Sequence, residues 1–228
     1  MFTGYHCPVT MRLPGPPDLP EFMTWEELEL LPDEIAGEIE LWNGRVVWAR
    51  RGPAEHQDYS TELRNSLRRC VRQFIDERPD KCWKVTTETN VFFGQTGKSD
   101  FVTPDFMIYR CLPEPYQLVR GADALLVGEV LSPSNRETDI EGKKAKYAEA
   151  GIQWYWEVGL SRVPEQVHGI DIVRAYGLSG ESGHLPDGVR PLHPANYILI
   201  DEWSPKDTEG IRIEFPFPIE IPWPDLVP

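Results

Sequence analysis

The sequence predicts a single α/β domain that contains both helices and strands. The chain has 228 residues, which is long enough to bury one sizeable hydrophobic core. Segments with apolar residues at helical spacing lie between short apolar runs of strand length. No long linker separates these segments, so we expect one domain over residues 21–228.

The first 20 residues are predicted to form a flexible tail. They contain five prolines among glycine and small residues, which prevents regular structure: Pro8, Pro14, Pro16, Pro17 and Pro20. The folded part then begins with a short helix. Thr24-Trp25-Glu26-Glu27 has the pattern of a capping box, and Pro32 ends the helix after Leu31.

A β-hairpin and a long helix are expected next. Residues 38–42 and 45–48 flank Asn43-Gly44, a dipeptide typical of a two-residue hairpin turn. An amphipathic helix is predicted over residues 55–77, because apolar residues recur there at helical spacing. They are Leu63, Leu67, Val71, Phe74 and Ile75.

The middle of the chain is predicted to form strands around a second helix. We expect strands over residues 84–93 and 102–109, joined by a turn, and an apolar strand over 125–131. A helix over residues 136–150 follows, with Gly151 placed to end it. A buried strand is expected at 152–158, and further short strands at 171–176, 197–200 and 211–221.

Glu129 is the unusual residue of this pattern, because it interrupts an otherwise apolar strand. A buried carboxylate is costly unless a cation, a proton or several donors meet it. Asp105 follows Pro104 beside the preceding strand, and lysines follow on the next helix. Two convergent carboxylates favour Mg²⁺, which can polarise a phosphodiester and activate water. The spacing therefore predicts a metal-dependent phosphodiesterase.

The negative charge of the chain limits the ways in which it could bind nucleic acid. The formal net charge is −14, which argues against sequence-independent binding to phosphates. A local group of basic residues without acids nevertheless lies on the long helix: Arg64, Arg68, Arg69 and Arg72. This group indicates either a basic strip or a solvated helix face.

The spacing of the cysteines and the hydropathy of the chain indicate the cellular compartment of the protein. Cys7, Cys70, Cys82 and Cys111 are scattered and form no C-x-x-C pair, which favours a reduced cytoplasmic protein. No apolar run approaches the roughly 20 residues of a membrane span, so we expect no membrane partner. The five histidines show no ligand-like spacing, which makes a zinc hydrolase a weaker alternative.

Several motifs, taken in order over residues 23–158, resemble one protein family. They are Gly37 to Gly44, Glu55-His56-Gln57, Pro104-Asp105, Glu129 to Ser134, the spacing of Asp139, Lys143 and Tyr147, and Ala150 to Trp156. Together they resemble the Uma-two family, whose members are described as restriction endonucleases of the PD-(D/E)xK nuclease superfamily. The resemblance implies a restriction-endonuclease-like core, with helices around a mixed central sheet and extra strands at the C-terminus.

The resemblance also implies roles for the acids. Asp105 and Glu129 would bind Mg²⁺, with Mn²⁺ as a substitute, and Glu40 would add a carboxylate directly or through water. The usual lysine two residues after the glutamate is replaced by Leu131. Lys143 is expected to take its place as the catalytic ammonium, because Asp139, Lys143 and Tyr147 share one helix face.

Other candidates have a functional and a structural interpretation. His56 opens the long helix, where backbone amides favour a substrate phosphate, although a lone histidine there is more often structural. Lys146 is the second candidate for the ammonium and for substrate binding; otherwise Lys144 and Lys146 form a solvated face. The aromatic residues 154–156 are expected in the core, and Gly159 stands where relatives often carry an acid.

Two functions of different classes follow. The first is a Mg²⁺-dependent endonuclease that hydrolyses DNA; the resemblance implies that it acts as a homodimer, because two strands are often cut by paired sites. The second is a catalytically inactive nuclease-fold module that binds nucleic acid or protein and regulates another process. Leu131 in the lysine position and the acidity of the chain favour this second function.

Overall fold

A computed structural model describes residues 18–49, 52–94, 97–131, 135–161, 169–179 and 196–228. Residues 1–17 of the expected tail, with Cys7, lie outside this range. Four α-helices occur in the described part of the chain: α1 Trp25–Leu28, α2 Asp33–Ala36, α3 Ala54–Glu77 and α4 Glu137–Glu149. Short 3-10 helices lie at Gly121–Asp123 and Trp223–Leu226. Within the described residues, no helix is long and apolar enough to cross a membrane.

The strands form two larger sheets and a separate hairpin. The five-stranded sheet has the order β2-β1-β5-β4-β7, and the six-stranded sheet has the order β11-β10-β9-β8-β6-β3. The first seven strands are β1 Ile39–Trp42, β2 Arg45–Trp48, β3 Trp83–Thr87, β4 Val91–Phe92, β5 Phe101–Val102, β6 Phe106–Arg110 and β7 Val119–Arg120. The others are β8 Ala124–Leu131, β9 Trp154–Leu160, β10 Ile170–Ser179, β11 Asn196–Trp203, β12 Gly210–Ile213 and β13 Ile219–Pro222.

The six-stranded sheet is mixed and carries a helix on each face. Strands β8 and β9 are parallel, and the other neighbours in this sheet are antiparallel. Helix α3 packs with Leu126 and Val130 in one apolar cluster, while Tyr147 of α4 packs with Val127 in another. Because side chains alternate across a strand, the two helices lie on opposite faces. The expected α/β class, with helices around a mixed sheet, is confirmed.

Local sequence signals explain the ends of several elements. The Thr24 side chain accepts from the Glu27 amide and the Glu27 carboxylate accepts from the Thr24 amide, which is the predicted capping box. Asn43 and Gly44 both have positive φ, 52° and 80°, as a two-residue hairpin turn of type I′ requires. Gly151 ends α4 with φ of 76°, a conformation that costs glycine little.

Three expected strands are wrong as continuous elements, and the breaks in the first two shape the molecule. The predicted strand 84–93 is β3 and β4, which belong to different sheets, with a break at Glu88, whose φ is 44°. The predicted strand 102–109 is likewise β5 and β6, interrupted by Thr103-Pro104-Asp105. This hairpin therefore starts in the six-stranded sheet, crosses into the five-stranded sheet and returns. The predicted strand 211–221 is the hairpin of β12 and β13.

The expectation of a fully reduced protein is wrong for two cysteines. Cys82 and Cys111 form a disulfide, with 5.3 Å between their Cα atoms. They flank the pairing of β3 with β6, where Trp83 lies opposite Arg110, so residues 29 positions apart in sequence meet at the end of one ladder. Cys70 is a buried free thiol on α3.

Candidate active site

Asp105 lies where the chain crosses from the five-stranded to the six-stranded sheet. The ladder between β6 and β8 ends at Phe106 and Gly128. Beyond this pair the Asp105 side chain, one residue before Phe106, takes the place of a backbone acceptor: its Oδ2 accepts from the amide of Val130, two residues after Gly128, at 2.6 Å. The break that the sequence pattern did not predict thus positions the candidate acid.

Glu129 lies near the end of β8 and is almost completely buried, with 6% exposure. Its Oε1 accepts a hydrogen bond of 2.6 Å from the Tyr147 hydroxyl of α4. Lys143, one turn earlier on the same helix, places Nζ 3.1 Å from Oε2 of Glu129. The expected shared face of Lys143 and Tyr147 therefore contacts this carboxylate.

Glu40 joins the same cluster from the first hairpin. Its carboxylate is buried on β1, with Oε1 3.1 Å from Lys143 Nζ. Oε1 also accepts from the Thr103 amide at 3.0 Å, and Oε2 accepts from the Trp42 indole at 2.9 Å. Both oxygens thus have donors, which fits an orienting role as well as the predicted ligand role.

The Lys143 ammonium lies between the two buried carboxylates. It also donates to the Thr103 carbonyl at 3.3 Å. Burial disfavours its charge, but the nearby Glu129, Glu40 and Asp105 carboxylates outweigh that effect and raise the pKa of Lys143. Lys143 is therefore a fixed cation at the centre of the cluster.

Three carboxyl groups lie beside one ammonium and one imidazole in this cluster. Burial raises the pKa of the Glu129 carboxyl above its ordinary value. The charges of Asp105 and Glu40 raise it further, while the Lys143 ammonium and the Tyr147 hydroxyl act in the opposite direction. Additional positive charge at this position would stabilise the ionised form of Glu129.

His56 contacts Asp105 at the start of α3. Its Nε2 lies 3.0 Å from Asp105 Oδ2, and the residue is buried, with 7% exposure. Burial alone would lower the pKa of His56, but the hydrogen bond to Asp105 and its negative charge raise it overall. The structure thus places His56 where it fixes Asp105; a direct contact with substrate stays a prediction.

Lys144 and Lys146 do not form the solvated face that was the alternative expectation. Lys144 Nζ lies 2.7 Å from Glu157 Oε1, and Lys146 Nζ lies 2.8 Å from Asp100 Oδ1. Both side chains are largely buried, with 15% and 10% exposure. The Lys146 ammonium is held by Asp100, whereas the Lys143 ammonium reaches the acids of the cluster. A substrate contact of Lys146 stays a prediction.

Glu157 is a buried carboxylate that the sequence analysis missed. It lies beside Glu129 in the register of the parallel strands β8 and β9. The Tyr176 hydroxyl donates to its Oε2 at 2.9 Å, in addition to the Lys144 pair. Glu157 directly follows the aromatic residues 154–156 and, like Glu129, is a carboxylate in an otherwise apolar strand. The signal that identified Glu129 was therefore also present at Glu157.

A cavity of about 1400 Å³ joins these groups to the surface. It lies between the first hairpin and the starts of α3 and α4. The residues of the cluster line it, together with Tyr155 of β9: Glu40, His56, Asp105, Glu129 and Lys143. A substrate that enters this cavity can therefore approach three carboxylates and one ammonium.

The donor set has the chemistry of a site for a hard cation. Carboxylate oxygens of Glu129 and Glu40 and the Thr103 carbonyl all lie within 3.3 Å of Lys143 Nζ, a positive charge of the protein itself. Mg²⁺ prefers such oxygen ligands. Among the described residues, no group of three or more acids, histidines or cysteines is arranged to hold a metal ion; Lys143 Nζ lies between Glu40 and Glu129.

Comparisons with known proteins agree with this architecture. The sequence profile of the Uma2 family, described as "Putative restriction endonuclease", matches residues 25–168. The fold is similar to the crystal structure of "a putative nuclease belonging to DUF820" from Anabaena variabilis, with a TM-score of 0.53 and 17% identity. That alignment covers 90% of this chain and 97% of the other. A search of curated proteins gives no match.

Proposed function

The chain belongs to the Uma2 family of proteins described as "Putative restriction endonuclease", and from this premise we propose that it is a Mg²⁺-dependent endonuclease that hydrolyses DNA phosphodiester bonds. The observation that carries the proposal is the convergence of Glu40, Asp105 and Glu129 on one cavity beside Lys143. These acids come from three separate parts of the chain. Folding therefore brings together charges that repel one another unless a cation is present.

Asp105 and Glu129 are the groups that would hold the cation, with Glu40 as a further carboxylate. The bound ion would polarise the phosphodiester and make a water molecule more acidic. Mn²⁺ would substitute for Mg²⁺ at the same oxygen ligands. The fit rests on the hard oxygen donors around Lys143 Nζ and on the burial of Glu129, which, with the nearby Asp105 and Glu40 carboxylates, raises the pKa of Glu129.

The protein's own groups then have distinct tasks. Lys143 offsets the negative charge that develops on the phosphate in the transition state. The His56 imidazole and the Val130 amide hold Oδ2 of Asp105, a residue that lines the cavity, so Oδ1 would be the oxygen that accepts from a cation or its water. The Tyr147 hydroxyl fixes Oε1 of Glu129. Held in this way, the carboxylates need little reorganisation when substrate arrives.

Plasmid nicking tests this function. Purified wild-type protein is incubated with supercoiled plasmid and Mg²⁺ or Mn²⁺, beside Asp105→Asn, Glu129→Gln and a surface control, Asp171→Asn on β10. We expect nicking by the wild type and the control and none by the two site variants. Equal nicking by all four proteins would indicate a contaminant and would contradict the proposal.

One observation favours the second candidate, a module that binds but does not cut. Lys143 already supplies a cation between Glu40 and Glu129, and Leu131 occupies the position two residues after the glutamate. Titration calorimetry with Mn²⁺ separates the two functions. Mn²⁺ binding that is lost in Glu129→Gln supports the endonuclease, whereas DNA binding without Mn²⁺ binding supports the module.

A further inference from the structure

Strand β11 forms an open edge of the six-stranded sheet. Among the described strands it has only β10 as a neighbour, so its outer edge carries backbone N–H and C=O groups without a strand partner. The Asp201 carboxylate accepts from the Glu202 amide at 2.9 Å. Because that amide is already bonded, the open edge consists of residues 197–200. Proteins usually protect such an edge with charged residues, proline or a covering element.

Three consecutive apolar side chains occupy this edge instead. Ile198, Leu199 and Ile200 are exposed by 51%, 47% and 49%. None of residues 197–200 is charged, and none is a proline. Single exposed apolar residues are common on protein surfaces, but a contiguous group of them indicates an interaction site.

The apolar surface continues from β11 onto the sheet face that carries α3. A Cβ built on Gly177 would lie 3.3 Å from Ile200 and 3.5 Å from Trp154, so both side chains border the space above this glycine. Trp154 packs against the apolar cluster of α3. Phe215, which is 59% exposed, stacks on Trp154 with 6.0 Å between the ring centres. We call the exposed members of this surface the β11 patch: Ile198, Leu199, Ile200 and Phe215.

Leu199 carries the apolar surface to the opposite face of the sheet. It lies beside Tyr176 in the ladder with β10, and Tyr176 packs against the apolar cluster of α4. A partner of this edge must therefore supply an extended backbone, with apolar side chains on both of its faces. Strand β11 itself has these properties, so a second copy of the chain fits the edge.

The distribution of charge along β11 favours the same partner. A two-fold axis at Leu199 makes the pairing antiparallel and places Ile198 of one copy opposite Ile200 of the other. The two acids that follow Ile200 then lie opposite the neutral residues 196 and 197, so no like charges face each other across the strands. The general repulsion between two chains of net charge −14 is screened beyond about 8 Å at physiological ionic strength.

We propose that the edge of β11 is the interface of a homodimer, in which two copies pair antiparallel across Leu199 and join their six-stranded sheets into one. Pairing removes the open edge and covers Ile198, Leu199 and Ile200 on both copies. The inference gives the expected homodimer a defined surface. It does not depend on the proposed function, because the pairing needs neither a metal ion nor nuclease activity.

The test introduces charge at Leu199 in the full chain. Metal-free wild-type protein, Leu199→Glu, Leu199→Lys and the control Leu30→Glu are compared by size-exclusion chromatography with light scattering. Leu30 is 85% exposed in the turn after α1 and lies outside the β11 patch. We expect twice the mass of one chain for the wild type and the control. Each Leu199 variant should dimerise at least about 100-fold more weakly, because two like charges then face each other.

An equimolar mixture of Leu199→Glu and Leu199→Lys tests the two-fold axis itself. The charges at the axis are opposite in a mixed pair, so we expect the dimer to return. Circular dichroism shows whether the variants are folded, and Ile198→Glu, next to the axis, should weaken the dimer in the same way. A monomeric wild type, folded Leu199 variants that stay dimeric, or an equal loss of dimer in Leu30→Glu would overturn the proposal. A mixture of folded variants that stays monomeric would overturn the pairing at Leu199.

Discussion

The ammonium nitrogen of Lys143 lies 3.1 Å from Oε2 of Glu129 and joins α4 to β8. The same nitrogen lies 3.1 Å from Oε1 of Glu40. One side chain therefore forms ion pairs with two buried carboxylates from two sheets. Removal of one partner from a buried ion pair leaves an uncompensated buried charge. The resulting loss of stability is much larger than the net stabilisation that the intact pair provides.

Lys143→Met is expected to destabilise the protein by about 3–5 kcal/mol and to abolish nicking. Mn²⁺ should then raise the melting temperature of Lys143→Met more than that of the wild type, because the ion replaces the missing positive charge. Thermal denaturation with and without Mn²⁺ measures this difference. Lys144→Met, which breaks the separate pair with Glu157, is the control. An equal response of the two variants to Mn²⁺ would contradict a cation site between the acids.

His56→Ala is expected to lower Mn²⁺ affinity by about 10- to 100-fold, because Asp105 loses the imidazole that orients it. Titration calorimetry measures the affinity. Gln57→Ala is the matched control, since its side chain bonds the exposed Glu88. If both variants bind Mn²⁺ as the wild type does, His56 has no part in holding Asp105.

Gly128→Ala is expected to destabilise the protein by about 3 kcal/mol. A Cβ at this position would lie 2.0 Å from the ring of Phe106, which is completely buried beside Asp105. Urea unfolding measures the loss. Gly97→Ala serves as the control, because a Cβ there meets no atom within 4 Å. Equal stability of the two variants would show that the β6 and β8 contact is looser than described.

The three described cysteines are expected to differ in reactivity. Peptide mapping after alkylation of unfolded, unreduced protein should label Cys70 and leave Cys82 and Cys111 unlabelled. Burial raises the pKa of the Cys70 thiol, and the thiolate is the reactive form. In native protein, alkylation of Cys70 should therefore begin at a higher pH than for a free thiol. Labelling of Cys82 or Cys111 without reductant would contradict the disulfide.

Local sequence patterns predicted α3, α4 and the turns well, because these elements depend on near neighbours, but the first helix ends at Leu28 and not at Leu31, and α2 was not predicted. The capping box at Thr24, the Asn43-Gly44 turn and the Gly151 helix end all occur as expected. The family, the mixed sheet and the flanking helices were also predicted correctly. The family resemblance, supported by the helical spacing of Asp139, Lys143 and Tyr147, selected Lys143 among the lysines, while the catalytic roles of Lys143 and Glu129 stay predictions.

The breaks within two strands could not be read from periodicity. Residues 84–93 and 102–109 each look like one continuous strand, and only the tertiary structure distributes them between two sheets. Pro104 was a visible signal, because proline cannot donate to a ladder. The contact of Cys82 with Cys111 has a similar origin, since it depends on the pairing of β3 with β6 across 29 positions.

An anomalous difference map from crystals soaked in Mn²⁺ tests the central claim most directly. The account predicts a peak within about 2.3 Å of carboxylate oxygens of Asp105 and Glu129, with Lys143 Nζ displaced from Glu129 Oε2. No peak at these oxygens, with Lys143 still between Glu40 and Glu129, would contradict it.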